Sequence, residues 1–463
     1  MPTTRETEVP GKRPSKRSSC PPASHPTWAI LYEFGACRDD DSDSNRDRAM
    51  SLSSTGEQIC VSVKLVEPPR ISILTVDLPQ QQPPSTPSTT TILSDVMVVA
   101  AHRDVVLFQV NPRAMSESDS APYDHFVYKA SCGASERPSL LLLPLQYYCG
   151  EQTCDGRPRQ LLLTPDSTGI LSSGSSSMDN QDASFVVADL VATYPESKDR
   201  WCNNQGLREF DIHVLWSVSC KWMVFKNLHI HGANGGRDLY WWSTDAVMPY
   251  RSRFLLWVDY YRGIIFADMA GPEKKPDLRY VPLPVNPPKE FSNSNEWDST
   301  DGRKCPKASR NLCATRSGIK FVSVDRQRRS NFGVRYWEWT STFRVTTWSL
   351  REDGVTWRRD ARLYAEDLWA LDSKNRFPHV EPKFPVINME NPNAICFVAD
   401  DDCYTPDSSN RVCMVEIDIK KKVLLAVTDY SMERLLFRLD SVKIATKLPH
   451  YRYAGEPCKK RRE

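Results

Sequence analysis

Residues 238–284 of the chain have the sequence DLYWWSTDAVMPYRSRFLLWVDYYRGIIFADMAGPEKKPDLRYVPLP. An aromatic segment is followed by a charged turn, by an apolar segment that stops at Asp268, and by a last run that closes on a leucine between prolines. Short runs rich in Val, Ile, Phe, Tyr and Trp between turn residues are typical of β-strands. This stretch therefore predicts antiparallel hairpins, and it carries little recognisable chemistry.

Runs of the same kind recur along the whole chain. They occupy residues 59–66, 71–76, 96–101, 105–110, 184–192, 210–218, 254–261, 319–324, 343–350 and 414–419. The segment WRRDARLYAEDLWAL, residues 357–371, fits a helical period and a strand period equally well, so both alternatives stay open there. Apart from that segment, the pattern favours strands throughout.

A weak repeat accompanies these runs, because six of them stop at an aspartate. An aspartate at a strand end can accept hydrogen bonds from the amides of the next turn. The repeat therefore predicts that a strand ends and a hairpin turn begins at each of these aspartates: Asp77, Asp189, Asp268, Asp325, Asp400 and Asp418.

Polar segments that look too hydrophilic to pack separate the strands. We expect long loops at residues 38–54, 80–91, 167–182, 289–317 and 401–410. With 463 residues, 34 prolines and 13 tryptophans, the chain predicts an all-β, β-propeller-like array of antiparallel sheets with six or seven blades and long polar loops. A two-sheet sandwich is the alternative, although one sandwich would use only part of the chain.

Bulk properties narrow the class of partner and compartment. The formal net charge is +2, so no global field attracts nucleic acid, and no run approaches the ~18 apolar residues of a membrane span. The first 26 residues lack the apolar segment of a secretory signal. The 14 cysteines lack the spacing of a disulfide scaffold, so we expect reduced thiols and a location in the cytoplasm, the nucleus or both.

Catalytic signatures are absent from the sequence: it has no phosphate loop, no G-x-G-x-x-G, no G-x-S-x-G and no H-E-x-x-H. No cofactor is predicted. The best site candidate is KNLHIHGANGGRD, where His229 and His231 would share one strand face and His213 would lie on a neighbouring strand. Imidazoles placed in this way can bind zinc or iron, whereas the structural alternative is a hairpin with half-buried histidines.

Other clusters have simpler structural interpretations. Cys149 and Cys154 lack a second matching pair, and the aspartates at 39–47 and at 400–407 lack the spacing of a calcium loop. Aromatic doublets point to opposite faces of a strand, which favours core packing over a stacking platform at Trp241/Trp242, Tyr260/Tyr261 and Trp337/Trp339. Basic clusters at residues 12–17, 326–329 and 459–462 could serve nuclear import.

Several elements in fixed order resemble a known family. WVDYYRGIIFADM, PDLRYVPLPVN, GIKFVSVD, FRVTTWSL and DLWAL are similar to the signature of plant domain-of-unknown-function family 1618, which is expanded in grasses. The family supplies no catalytic residues. The strand order also resembles F-box-associated and kelch-type propellers, but this chain shows no F-box before its first strand near Trp28.

The resemblance divides the chain into five parts. Residues 1–26 are expected to be a disordered tail, residues 27–256 the N-terminal β-rich part of a propeller-like domain, and residues 257–371 the signature region. Residues 372–455 would close the domain, and residues 456–463 form a basic tail. The leading hypothesis is a non-enzymatic scaffold that binds an unknown protein partner through its loop-bearing face; a metal-binding protein or metal-dependent enzyme and a nuclear regulatory protein are the alternatives.

Overall fold

The computed structural model of the protein describes residues 26–38, 48–78, 90–111, 122–130, 137–153, 156–173, 184–193, 208–271, 274–285, 305–328, 341–401, 411–430 and 443–447. Within these ranges the chain forms 29 β-strands, one short α-helix and two short 3₁₀ segments. The all-β class and the antiparallel sheets predicted from the sequence are confirmed. No helix in this part of the chain is long and apolar enough to cross a membrane.

The strands follow one another as short segments from end to end. The first fifteen are β1 (Trp28–Tyr32), β2 (Phe34–Arg38), β3 (Ala49–Leu52), β4 (Gln58–Lys64), β5 (Ile71–Asp77), β6 (Thr90–His102), β7 (Val105–Val110), β8 (Asp124–Lys129), β9 (Ser139–Leu142), β10 (Tyr147–Gln152), β11 (Pro158–Gln160), β12 (Thr168–Ser172), β13 (Phe185–Thr193), β14 (Glu209–Trp216) and β15 (Lys221–Phe225). The others are β16 (Ile230–His231), β17 (Ala246–Tyr250), β18 (Phe254–Asp259), β19 (Gly263–Asp268), β20 (Asp277–Pro282), β21 (Arg310–Thr315), β22 (Gly318–Arg328), β23 (Ser341–Leu350), β24 (Trp357–Tyr364), β25 (Lys383–Ile387), β26 (Ala394–Asp400), β27 (Val412–Asp418), β28 (Val423–Asp429) and β29 (Lys443–Lys447), with helix α1 at Ala365–Ala370.

Most sheets are four-stranded antiparallel meanders. One is β12 to β15, the next is β17 to β20 with β16 added at its edge, and two more are β21 to β24 and β25 to β28. A ten-stranded sheet joins β1 to β9 with β29, because β29 pairs antiparallel with β1. The last described strand is thus hydrogen-bonded to the first.

Contacts between the sheets close into a circle. β6 contacts β12, β12 contacts β17, β17 contacts β21, β21 contacts β25, β25 contacts β29, and β29 contacts β6 again. β12, β17, β21 and β25 are the first strands of their meanders, whereas β6 and β29 both belong to the ten-stranded sheet; we call these six the inner strands. Their cyclic order matches the propeller-like array expected from the sequence. The blade count of six or seven stays a prediction.

Hydrophobic clusters fill the spaces between neighbouring sheets. Trp242 and Trp257 are fully buried in the cluster that joins the β12–β15 sheet to the β17–β20 sheet. Phe343 and Phe397 lie in the cluster between the next two sheets. Burial of one large side chain contributes about 1.5–3 kcal/mol, so these clusters are the main stabilising term between sheets.

The inner strands β12 and β17 approach each other closely. A Cβ on Gly169 of β12 would lie 2.6 Å from Cγ1 of Val247 in β17 and 2.9 Å from a methyl of Leu255. No side chain fits there without displacing the neighbouring sheet. Glycine at this position therefore sets the spacing between two sheets.

The ten runs predicted as strands coincide with β4, β5, β6, β7, β13, β14, β18, β22, β23 and β27. Three predicted loops were wrong in part, because β3 lies within residues 38–54, β12 within 167–182 and β21 within 289–317. All five residues of β12 are buried, by contact with other sheets rather than by their own hydrophobicity. Residues 357–371, which fitted a helix and a strand equally well, form a strand followed by a helix: β24 ends at Tyr364 and α1 begins at Ala365.

Four of the six repeat aspartates end strands, whereas Asp189 and Asp325 lie inside β13 and β22. Asp418 accepts a hydrogen bond from the turn amide of Lys421 at 2.8 Å, as the repeat predicts. Asp189 instead accepts hydroxyl hydrogen bonds from Ser167 and Thr168, each at 2.6 Å. The repeat therefore marks polar anchors of more than one kind.

Candidate functional site

A cavity of about 350 Å³ lies within the circle of inner strands. All six of these strands line it, and their contributions include Val99, Ile170, Met248, Leu312, Val386 and Thr446. We call it the central cavity. Because every neighbouring sheet supplies a wall, its shape depends on the whole ring.

The charged residues that line the central cavity are positive. Five cationic residues line it, and among the described residues no aspartate or glutamate does; the five are Arg103, Arg251, Lys307, Arg310 and Arg316. Two carboxylates outside the lining form ion pairs with lining residues. Glu390 Oε2 lies 3.3 Å from Nη2 of Arg316, and Asp166 pairs with Lys307. The lining itself therefore presents positive charge to an occupant.

Three of these arginines occupy turns that follow inner strands. Arg103 lies between β6 and β7 with φ 57°, Arg251 lies between β17 and β18 with φ 51°, and Ser252 beside it also has φ 51°. Positive φ values are typical of tight hairpin turns, such as the two-residue turn after β6 and the three-residue turn after β17. Arg316 lies between β21 and β22, where Thr315 Oγ1 donates to the Gly318 carbonyl at 2.8 Å.

Contacts between neighbouring turns place these arginines at one end of the ring. Nη1 of Arg103 donates to the carbonyl of Ser173, just after β12, at 3.3 Å. Arg251 and Arg316 together line an adjoining cleft of about 590 Å³. The Arg316–Glu390 pair reaches the segment after β25. We call this surface, defined by Arg103, Arg251 and Arg316, the arginine face.

Local contacts hold the guanidinium groups in place. The guanidinium carbon of Arg251 lies 4.9 Å from the ring centroid of Tyr250, a cation–π arrangement. Nη1 of Arg310, at the other end of the cavity, donates to the carbonyl of Tyr260 at 2.6 Å. Burial lowers the pKa of Arg310, but an arginine stays protonated in proteins.

His102 lines the same cavity as a neutral group. Burial, with Arg103 as a smaller cause, lowers its pKa to about 3. Its Nδ1 accepts a hydrogen bond from the Ser172 amide at 2.9 Å, which fits the neutral ring. His102 therefore joins β6 to β12 without adding charge at neutral pH.

The structure brings together two of the three predicted metal ligands. The rings of His229 and His231 are 4.9 Å apart, edge to face, and Nε2 of His231 lies 3.5 Å from Asp277 Oδ1. His213 is buried on β14, where Nδ1 lies 3.3 Å from Gln146 Nε2. In the part of the chain that the structure describes, no group of three or more His, Cys, Asp or Glu is placed to hold a metal ion. Metal binding by the histidine pair stays a prediction.

The other predicted clusters take structural positions or lie outside the described residues. Trp242 is fully buried while Trp241 is 49% exposed, but the doublet lies between the 3₁₀ segment Asn234–Leu239 and β17 rather than on a strand as expected. The cysteines recorded within the described ranges are free thiols: Cys37, Cys60, Cys220, Cys305, Cys313, Cys396 and Cys413. Both chain termini, the aspartates at 39–47, the Trp337/Trp339 pair and the side chains of the basic clusters lie outside the described residues.

Sequence reasoning missed the central cavity entirely. Two of its walls, β12 and β21, lie in segments assigned to loops, and its arginines are far apart in sequence. The available signal was the turn chemistry, since Arg-Ser after a strand and Arg-Ser-Gly at 316–318 are hairpin turns. That signal locates turns but does not show that they meet.

Comparison with curated proteins found no match for the chain. A family model does match part of it, beginning inside strand β18 and ending in β26. This confirms the family resemblance and extends it past residue 371. Over residues 257–396 the chain matches the model of the family described as "Protein of unknown function (DUF1618)".

Proposed function

We propose that the protein is a non-enzymatic scaffold that binds a partner protein over the arginine face. The observation that carries this proposal is that Arg103, Arg251 and Arg316, from three different sheets, line the same cavity. A partner that fits this surface carries acidic side chains, because opposite charges across an interface favour and orient association.

The ring makes the arginine face a preorganised surface. Each arginine belongs to a tight turn between two hydrogen-bonded strands, and the sheets are joined by buried side chains. Binding residues placed on short turns of a rigid framework lose little conformational entropy when a partner docks. Their mutual spacing is therefore a property of the fold rather than of one flexible loop.

Charge reversal tests the proposal directly. The double variant Arg251→Glu/Arg316→Glu should lose the partners that the wild-type chain captures from an extract of its source tissue. The matched control is Arg359→Glu/Arg362→Glu, which reverses two exposed arginines on β24, the outermost strand of its sheet. Both variants change the net charge equally, so only position differs.

The comparison is made by quantitative mass spectrometry of the captured proteins. Partners that depend on the arginine face disappear with the first variant, remain with the control, and elute as salt shortens the Debye length below about 8 Å. Capture that is equal for both variants, or that both abolish, contradicts the proposal.

A further inference from the structure

We propose that the central cavity is a binding site for a small organic anion with an apolar body and one carboxylate or phosphate head group. This goes beyond the scaffold function, which concerns a protein on the outer surface and requires nothing inside the ring. The two proposals share arginines but have separate tests.

The size and walls of the central cavity suit such a ligand. Its volume of about 350 Å³ falls in the range of about 300–1,000 Å³ that small-molecule sites occupy. Apolar side chains from separate sheets form much of the wall, including Val99, Ile170, Met248, Leu312 and Val386. A ring or short hydrocarbon chain can lie against these residues.

The charge of the lining selects an anion. Five cationic side chains and, among the described residues, no carboxylate line the cavity. Arg103, Lys307 and Arg310 are half-buried and Arg251 and Arg316 are exposed, so water screens part of their mutual repulsion, but no carboxylate among the described lining residues cancels it. An anion inside the cavity relieves that repulsion, whereas a neutral or cationic molecule of the same shape does not.

The head group is best placed near Arg251 and Arg316. Both lie at the same opening, where Arg251 is held against Tyr250 and Arg316 is held by Glu390. A guanidinium binds a carboxylate or a phosphate through two parallel hydrogen bonds, so either head group satisfies the same chemistry. The apolar body then points inward towards Ala314 and Met248.

Isothermal titration calorimetry with the full chain tests this site without any partner protein. The probes are 2-naphthoate, 2-naphthyl phosphate, the neutral 2-naphthylmethanol and inorganic phosphate. We expect at least one naphthyl anion to bind about tenfold or more tightly than both the alcohol and inorganic phosphate, because only the naphthyl anions contact the apolar wall and the arginines together. The stronger of the two naphthyl anions identifies the preferred head group.

Two variants separate the apolar wall from the charged opening. Ala314→Leu fills part of the cavity from a half-buried position outside the main hydrophobic clusters, and should weaken the naphthyl anions about tenfold or more. Arg251→Gln/Arg316→Gln should reduce the anions to the affinity of the alcohol. Arg359→Gln/Arg362→Gln is the control and should change neither. Retained cooperative unfolding shows that each variant is folded.

Several results would overturn the cavity site. These are no binding of either naphthyl anion up to about 1 mM, equal binding of anion and alcohol, or inorganic phosphate binding as tightly as the naphthyl anions. Unchanged affinity in Ala314→Leu would place the ligand outside the cavity and also refute the proposal. Because Ala314→Leu leaves the outer arginines intact, it should not affect partner capture, so failure of one proposal is distinguishable from failure of the other.

Discussion

The backbone N–H of Ile71 donates a hydrogen bond to the phenol oxygen of Tyr430 at 2.9 Å. Ile71 begins β5, and Tyr430 directly follows β28, so this bond links the N-terminal strands to the last four-stranded sheet of the ring. Both residues are buried, each with 6% of its surface exposed. The bond is one of the contacts that join the two ends of the described chain.

Replacing Tyr430 with phenylalanine should destabilise this junction. The Ile71 amide would stay buried without its acceptor, which costs about 1–3 kcal/mol in free energy of unfolding. Urea denaturation measures the change. Tyr147→Phe is the control, because Tyr147 is exposed and its hydroxyl stays hydrated, so equal losses in the two variants would contradict this account.

His125 should make stability depend on pH. Burial lowers its pKa to about 4, and its Nε2 accepts a hydrogen bond from the Leu163 amide at 3.2 Å. Because the folded-state pKa lies below the unfolded value, the stabilisation is present above pH 6.5 and is lost as pH falls towards 4. At pH 5 the loss should be about 2 kcal/mol.

The measurement for His125 is urea denaturation at pH 7 and pH 5. In His125→Gln an amide oxygen can still accept from Leu163 but does not titrate, so the variant should lose about 2 kcal/mol less than the wild type over this interval. The same pH dependence in both proteins would assign the effect to other groups.

Lys320 and Asp360 form an ion pair within the β21–β24 sheet. Lys320 Nζ lies 2.7 Å from Asp360 Oδ2, and their side chains are only 11% and 9% exposed. Burial alone would raise the pKa of Asp360, but the hydrogen bonds from Lys320 and Ser349 outweigh it and lower the pKa. Asp360→Asn should cost about 3–5 kcal/mol, because it leaves a buried ammonium group unpaired.

Removing both charges of this pair identifies the cause. Lys320→Met/Asp360→Leu should recover most of the loss, since apolar groups of similar volume replace a buried ion pair at little cost. Chemical denaturation of the single and double variants measures the recovery. A double variant as unstable as Asp360→Asn would show that packing, not the unpaired charge, is responsible.

Two threonines in similar environments should respond in opposite directions to the same substitution. Oγ1 of Thr346 in β23 is buried and has no hydrogen-bond partner among the described residues, so Thr346→Val should raise the free energy of unfolding by about 1 kcal/mol. Oγ1 of Thr168 donates to Asp189 at 2.6 Å, so Thr168→Val should lower it by about 1–3 kcal/mol. Thermal unfolding of both variants measures the signs, and destabilisation of both would contradict the prediction.

Local pattern was sufficient for the strands with long apolar runs. Every residue of VLFQV in β7 is buried, and so is every residue of FLLWVD in β18 except Phe254. Their β-branched and aromatic residues suit a pleated, packed surface. Their strand character was therefore visible before any tertiary contact was known.

Local pattern failed for strands whose burial comes from other sheets. TGILS in β12 contains a threonine, a glycine and a serine, and its polar groups are buried because Thr168 binds Asp189 and Ser172 binds Asp104. RNLCAT in β21 is half-buried against the central cavity. Neither segment is hydrophobic enough for its own sequence to indicate a buried strand. The residues that bury each strand lie tens of positions away in the sequence.

Side-chain alternation and turn residues act over a few neighbouring positions, so the sequence alone predicted most of the β-strands, the all-β class and the resemblance to the DUF1618 family that the model match over residues 257–396 confirms. The central cavity and the arginine face are visible only in the folded chain. Arg103, Arg251 and Arg316 line one cavity because β29 pairs with β1 and the six inner strands contact one another in a circle. Ring closure depends on contacts between residues hundreds of positions apart, and no local pattern specifies which turns will then face one another.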